Sequence, residues 1–199
     1  KKEELKTNNL KSTLRGYQLF GAQYILHQKN VLLGDEMGLG KTVEAIAVMA
    51  HLAELGKTHF LVVCPLSVVE NWKREVEKHS NLIPRVIYGK DKEFFYNGWV
   101  SKGGVGITNY ESLKKLVRPD KPIHLIVFDE AHSIKNPDAQ KTVAAHKFQE
   151  ISERTLYMSG TPLENHVSEM IYLIRCLQSD VADSVSTRMC TRNPLEYRL

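Results

Sequence analysis

Two short stretches of this sequence hold residues able to do chemistry. In Gly38-Leu39-Gly40-Lys41-Thr42, glycines let the backbone curl until several N–H groups face one anion, and a following helix adds its positive N-terminal end. Lys41 is then placed to reach the β- and γ-phosphates of a nucleotide, and the Thr42 hydroxyl to coordinate Mg²⁺. Asp129-Glu130-Ala131-His132 supplies the complement. Asp129 is placed to hold Mg²⁺, usually through water, and Glu130 to orient and deprotonate an attacking water. Each stretch has a plainer alternative. The strict Gly-x4-Gly-Lys-Thr pattern is not met, because Asp35 stands at its first position; the alternative is a glycine-rich turn with a solvated lysine. An Asp-Glu pair after a strand, taken alone, is more often simply a charged loop. His132 reads equally as a structural hydrogen-bonding histidine and as a coupling residue.

The elements around these stretches decide whether they meet. Apolar runs alternate with amphipathic stretches along the chain, as in β-α units stacked around a parallel sheet. Strands are expected at Val31–Leu33, Phe60–Cys64, Arg85–Tyr88, Val105–Thr108, Leu125–Phe128 and Thr155–Met158. Val43, Ile46, Ala47, Ala50 and Leu55 recur at helical spacing, and Gly56 is a C-terminal stop. Ser67-Val68-Val69-Glu70 has capping-box spacing for a helix to about His79. Further helices are expected from about Asp138 to Phe148 and from about Asn165 to Leu177. The phosphate loop thus follows one strand and opens a helix, and the acidic pair follows another strand. In a doubly wound sheet such strand ends meet at the ligand crevice.

The chain has 199 residues, 42% hydrophobic and 25% charged, enough for one domain with a sizeable core. No apolar run is long enough to span a bilayer, and the lysine-rich start lacks the apolar stretch of a signal peptide. Cys64, Cys176 and Cys190 have no metal-type or disulfide-type spacing; they read as reduced thiols, with packing the role expected of Cys64 and Cys176. A net charge of +4 suits a polyanionic partner without requiring one. Residues 1–13 read as a polar, loosely held lead-in, 14–178 as the folded unit and 179–199 as a tail fitting no element.

Several motifs together resemble the first lobe of the Swi/Snf-type branch of helicase superfamily two. Leu14-Arg15-Gly16-Tyr17-Gln18 is similar to its glutamine motif, although proline is commoner where Gly16 stands. Asp35-Glu36-Met37-Gly38-Leu39-Gly40-Lys41-Thr42 matches the family's phosphate loop, which accounts for Asp35. Val63-Cys64-Pro65-Leu66-Ser67 through Asn71-Trp72, and Ile107-Thr108-Asn109-Tyr110-Glu111, resemble the next two motifs. Asp129-Glu130-Ala131-His132-Ser133-Ile134-Lys135-Asn136 resembles the acidic box with its extension, and Ser159-Gly160-Thr161-Pro162-Leu163-Glu164-Asn165 the coupling motif.

The resemblance implies an α/β fold of the P-loop NTPase type: a single RecA-like lobe, its parallel sheet sandwiched by helices. It implies ATP and Mg²⁺ as cofactors and ATP-driven tracking along duplex DNA, without sequence preference. Gln18 would select adenine; Ser159 and Thr161, with His132, would relay between nucleotide and DNA; Pro65, Ser67 and Thr108 would lie near one DNA strand. Trp72 falls in a helical apolar pattern and reads as a packing residue. The family's second lobe carries arginines that reach the γ-phosphate. Nothing after Leu177 resembles its motifs, so a second RecA-like lobe of the full-length protein is an expected partner. No membrane partner is expected. The setting is intracellular: nuclear in a eukaryote, cytoplasmic in a prokaryote, which the short connections between motifs favour. Two other classes compete, a strand-separating DNA or RNA helicase and a nucleotide-dependent binding module. A GTPase is disfavoured, since no Asn-Lys-x-Asp segment occurs.

Overall fold

Six apolar runs pair into one sheet in the computed structural model, which describes residues 4–34, 40–134 and 139–160. The strands are β1 (Asn30–Leu33), β2 (His59–Cys64), β3 (Pro84–Val86), β4 (Gly104–Asn109), β5 (Leu125–Phe128) and β6 (Thr155–Met158). All pairs are parallel, in the order β1-β6-β5-β2-β4-β3. Parallel neighbours need long crossovers, and these contain helices: α2 (Lys41–Glu54), α3 (Val69–His79), α4 (Lys92–Lys102), α5 (Tyr110–Leu113) and α6 (Gln140–Gln149). A further helix, α1 (Gly16–His27), precedes the sheet.

Side chains alternate between the faces. Phe60, Val62 and Cys64 of β2 join Leu125 and Val127 of β5 in a core shared with α1, α2 and α3. Leu61 and Val63 join Ile126 and Phe128 in a second core with α4, α5 and α6. With both faces covered, the strands read as continuous apolar runs. Burying each of Phe60, Leu61, Val62 and Val63, all at most 1% exposed, contributes about 1.5–3 kcal/mol. Central β2 is therefore a firm anchor. Since every strand runs the same way, the loops that follow them share one edge of the sheet.

The structure corrects several sequence expectations. Residues from Glu4 onward are not a loose lead-in. Leu5 is buried, the Lys6 N–H donates to His51 Nδ1 (2.9 Å), the Asn9 N–H to Glu54 Oε1 (2.8 Å), and the Lys11 N–H to the His79 carbonyl (2.8 Å). This segment belts the C-terminal ends of α2 and α3. The capping box at Ser67 does not form. After Pro65 the chain enters a 3-10 turn, Leu66–Val68, with the Val68 N–H donating to the Pro65 carbonyl, so α3 starts later and no side chain caps it. Strand β3 is shorter than expected, since as an edge strand it pairs with β4 alone and the chain turns at Gly89, where φ is +82°. Gly56 does stop α2: at φ +84°, its N–H donates to Ala53 and that of Lys57 to Leu52. The helix expected at 165–177 and the tail at 179–199 lie outside the described residues.

Candidate functional site

Strand β1 delivers the chain to Gly40, the N-cap of α2, at φ 86° and ψ 24°. Only glycine adopts this left-handed conformation without cost. The first intrahelical bond runs from the Glu44 N–H to the Gly40 carbonyl, so the N–H groups of the first turn point out of the helix end, as an anion requires. Gln18, 9% exposed on α1, lies against this turn. Its Oε1 accepts the Arg15 N–H at 2.9 Å, and its Nε2 lies 2.3 Å from where a Cβ on Gly40 would stand. The fold thus brings the Gln18 amide onto Gly40.

At the end of β5, Asp129 continues the sheet through its N–H to the Val63 carbonyl (2.8 Å). Its Oδ1 accepts the Glu130 N–H at 2.9 Å, and its Oδ2 accepts the Trp72 indole N–H at 2.8 Å. The Tyr110 hydroxyl donates to the Asp129 carbonyl. Burial first, then the Asp129 charge, pushes the Tyr110 hydroxyl well above its ordinary pKa; the same two causes, in that order, raise the Cys64 thiol. Both groups stay protonated beside the carboxylate. Cys64 is buried, as the packing role expects.

Glu130 is the one non-glycine residue with positive φ among the described residues, at 50°. Its side chain is partly exposed, with Oε2 3.2 Å from His132 Nδ1. The pair meets by distance, but His132 Nδ1 has no aligned hydrogen bond, so the two side chains are neighbours rather than a bonded dyad. Between the two stretches runs β6. Its successor Ser159, 2% exposed, donates its N–H to the Leu33 carbonyl at 3.0 Å. Ser159 therefore stands between the phosphate-loop helix and the acidic pair. Asp35, Glu36, Met37, Gly38, Leu39 and Thr161 lie outside the described residues.

Beyond β2 and β4 the same edge opens into a cleft of about 460 Å³ walled by Pro65, Leu66, Tyr88, Asn109 and Tyr110, with Lys92, Lys115 and Lys141 outnumbering Glu111 around it. Ser67 is exposed on the adjoining turn. Thr108 is not at the cleft surface: it is fully buried, its hydroxyl donating to the Ile87 carbonyl at 2.7 Å, so it braces the chain leaving β3. The sequence reading missed the hydrogen bonds from Trp72 and Tyr110 to Asp129. The available signal was that a buried indole or phenol needs a polar partner.

The residues present fit a magnesium nucleotide. Gly40 and the open first turn of α2 follow β1, and Asp129 follows β5, across β6 from it.

The sequence pattern of the SNF2-related domain matches residues 17–193. The chain is 33% identical over 196 residues to the CHD3-type chromatin-remodeling factor CHR7 of Arabidopsis thaliana, covering 90% of this chain and 16% of that protein. It is 31% identical over 188 residues to the nuclear protein STH1/NPS1 of Saccharomyces cerevisiae, covering 88% of this chain and 14% of that one. Among solved structures, the Sulfolobus solfataricus SWI2/SNF2 ATPase core in complex with dsDNA aligns with a TM-score of 0.76 and 28% identity, over 94% of this chain and 41% of that one. The chain spans well under half of each of these proteins.

Proposed function

Because this chain belongs to the SNF2-related domain family and has the fold of one RecA-like lobe, we propose that it is the ATP-binding lobe of an ATP-dependent duplex-DNA translocase. The observation that carries this reading is the shared sheet edge, where the Gln18–Gly40 contact, Ser159 and the Asp129–Glu130 pair stand on adjacent strands. Gln18 selects adenine. Lys41 and the first turn of α2 hold the phosphates, and Thr42 and Asp129 hold Mg²⁺. When bound, that ion offsets phosphate charge. Glu130 orients the attacking water and accepts its proton. His132 and Ser159, with Thr161, relay between nucleotide and DNA.

The basic cleft along Pro65 and Leu66, with Ser67 on its rim, takes one DNA strand by its phosphates, which positions the protein without reading sequence. The solved Sulfolobus relative is a complex with duplex DNA, which supports this choice of ligand. A second RecA-like lobe supplies the arginines that reach the γ-phosphate. Such a motor works where the DNA is, in a prokaryotic cytoplasm or a eukaryotic nucleus. Among the described residues no helix is long and apolar enough to cross a membrane.

The deciding experiment pits triplex displacement against unwinding. With ATP, the full-length protein displaces the third strand of a triplex and leaves a tailed duplex intact. Efficient unwinding without triplex displacement would make it a strand-separating helicase instead.

A further inference from the structure

The chain has two tryptophans, and they satisfy their indole N–H groups differently. Trp99 donates to the main-chain carbonyls of Phe60 (3.0 Å) and Gly104 (3.1 Å). That is the neutral arrangement expected of a core residue. Trp72, 1% exposed, donates instead to the carboxylate of Asp129 at 2.8 Å. A hydrogen bond to an ionised acceptor is roughly twice as strong as a neutral one. With the Glu130 N–H on the other oxygen at 2.9 Å, the carboxylate is gripped from two sides, once by its own loop and once by α3.

Helix α3 starts directly after the Leu66–Val68 turn, and Pro65 and Leu66 wall the basic cleft. Trp72 lies about one helical turn further on. Tyr110, on the same cleft wall, bonds the Asp129 carbonyl. Whatever seats against Pro65 and Leu66 thus pushes on the start of a short rigid element whose next turn holds Asp129.

We propose that Trp72 is a positioning residue: its indole N–H fixes the Asp129 carboxylate and, through α3, makes that carboxylate respond to a polyanion in the Pro65–Leu66 cleft. This rests on the reading of Asp129 as a Mg²⁺ holder. As the outer partner of a metal ligand, Trp72 is expected to affect metal affinity about tenfold, the low end of the range for such partners.

The test uses the whole chain loaded with a non-hydrolysable ATP analogue. Mn²⁺ binding, counted by electron paramagnetic resonance, weakens roughly tenfold in Trp72→Phe, which keeps an aromatic ring but loses the N–H. A lowered melting temperature with unchanged Mn²⁺ affinity is the mark of packing alone and overturns the proposal. Unchanged affinity in Asp129→Asn sinks the metal reading of Asp129 itself, a separate failure that takes the proposal with it. Wild-type protein decides the matter even if Trp72→Phe does not fold. Its two indole N–H resonances are separable by NMR and assigned through Trp99→Phe. The Trp72 resonance moves on adding Mg²⁺ to the nucleotide-loaded chain, and again on adding a short blunt duplex, while that of Trp99 stays. A Trp72 resonance indifferent to Mg²⁺ overturns the positioning role, and one indifferent to duplex overturns the coupling.

Discussion

Glu130 holds a backbone conformation that costs a non-glycine residue about 1–3 kcal/mol, and it does so beside the aspartate assigned to Mg²⁺. Its φ of 50° is kept because Asp129 on one side and the Ala131–Ile134 turn on the other leave little choice; the Ser133 N–H closes the turn onto the Glu130 carbonyl at 2.9 Å. If Glu130 is the base, a near-isosteric amide leaves nucleotide binding intact but cannot take the proton. Glu130→Gln in the full-length protein is expected to bind ATP normally and lose roughly 10²–10⁴ in turnover. Steady-state ATPase beside a nucleotide-binding titration checks this, and near-normal turnover removes Glu130 from the role. Lys41→Ala is expected to fail earlier, at ATP binding itself, because the main cation on the phosphates is gone. Weakened turnover at unchanged ATP affinity would argue against that placement.

At the scale of elements, the glycine pair ahead of β4 is a sharper constraint than any glycine in a helix. Gly103 has φ 74° and ψ −157°, a region essentially reserved for glycine, and a Cβ there would stand 2.4 Å from the Thr58 carbonyl oxygen. Gly103→Ala should therefore cost roughly 2–4 kcal/mol, strain and overpacking together. A thermal melt reads this, and a loss below 1 kcal/mol would show the backbone relaxing around the new methyl. Gly103 carried no mark in the sequence, because the clash is with a backbone far away in the chain. The strands were legible for the opposite reason: β2 and β5 are buried on both faces, and their continuous Val, Leu, Ile and Phe runs announce it. Helix α1 was hidden because it exposes Tyr17, Phe20 and Tyr24 while burying Gln18 beside Ala22, Ile25 and Leu26, so its apolar residues do not fall on one face. Thr108 was misread because a threonine near a strand end carries no sign of its burial, and its hydroxyl is spent on the Ile87 carbonyl. Gln18 and Gly40 were each visible as motif members; their contact was not, since it depends on how α1 packs against α2.

For the whole molecule, an incomplete γ-phosphate site is the governing expectation. An arginine supplied from outside the lobe is worth about 10³–10⁵ in turnover, so this chain alone should show little ATPase even with saturating duplex. Adding the second lobe, in cis or as a separate chain, should restore it. Robust DNA-stimulated hydrolysis by the isolated chain would mean that the arginine comes from another copy. The belt formed by residues 4–11 joins two arms of the molecule. Helix α2 starts at the nucleotide turn and α3 just after the cleft turn, yet both finish under the belt, where His51, Glu54 and His79 are tied to it. At 1.5 Å per residue these are arms of about 21 and 16 Å. Both are tied at one end to the same belt, like the blades of shears pinned at the handle, with the glycine turn and the cleft turn at their other ends. At these lengths a tilt of about 3° about the belt would move either tip by roughly 1 Å.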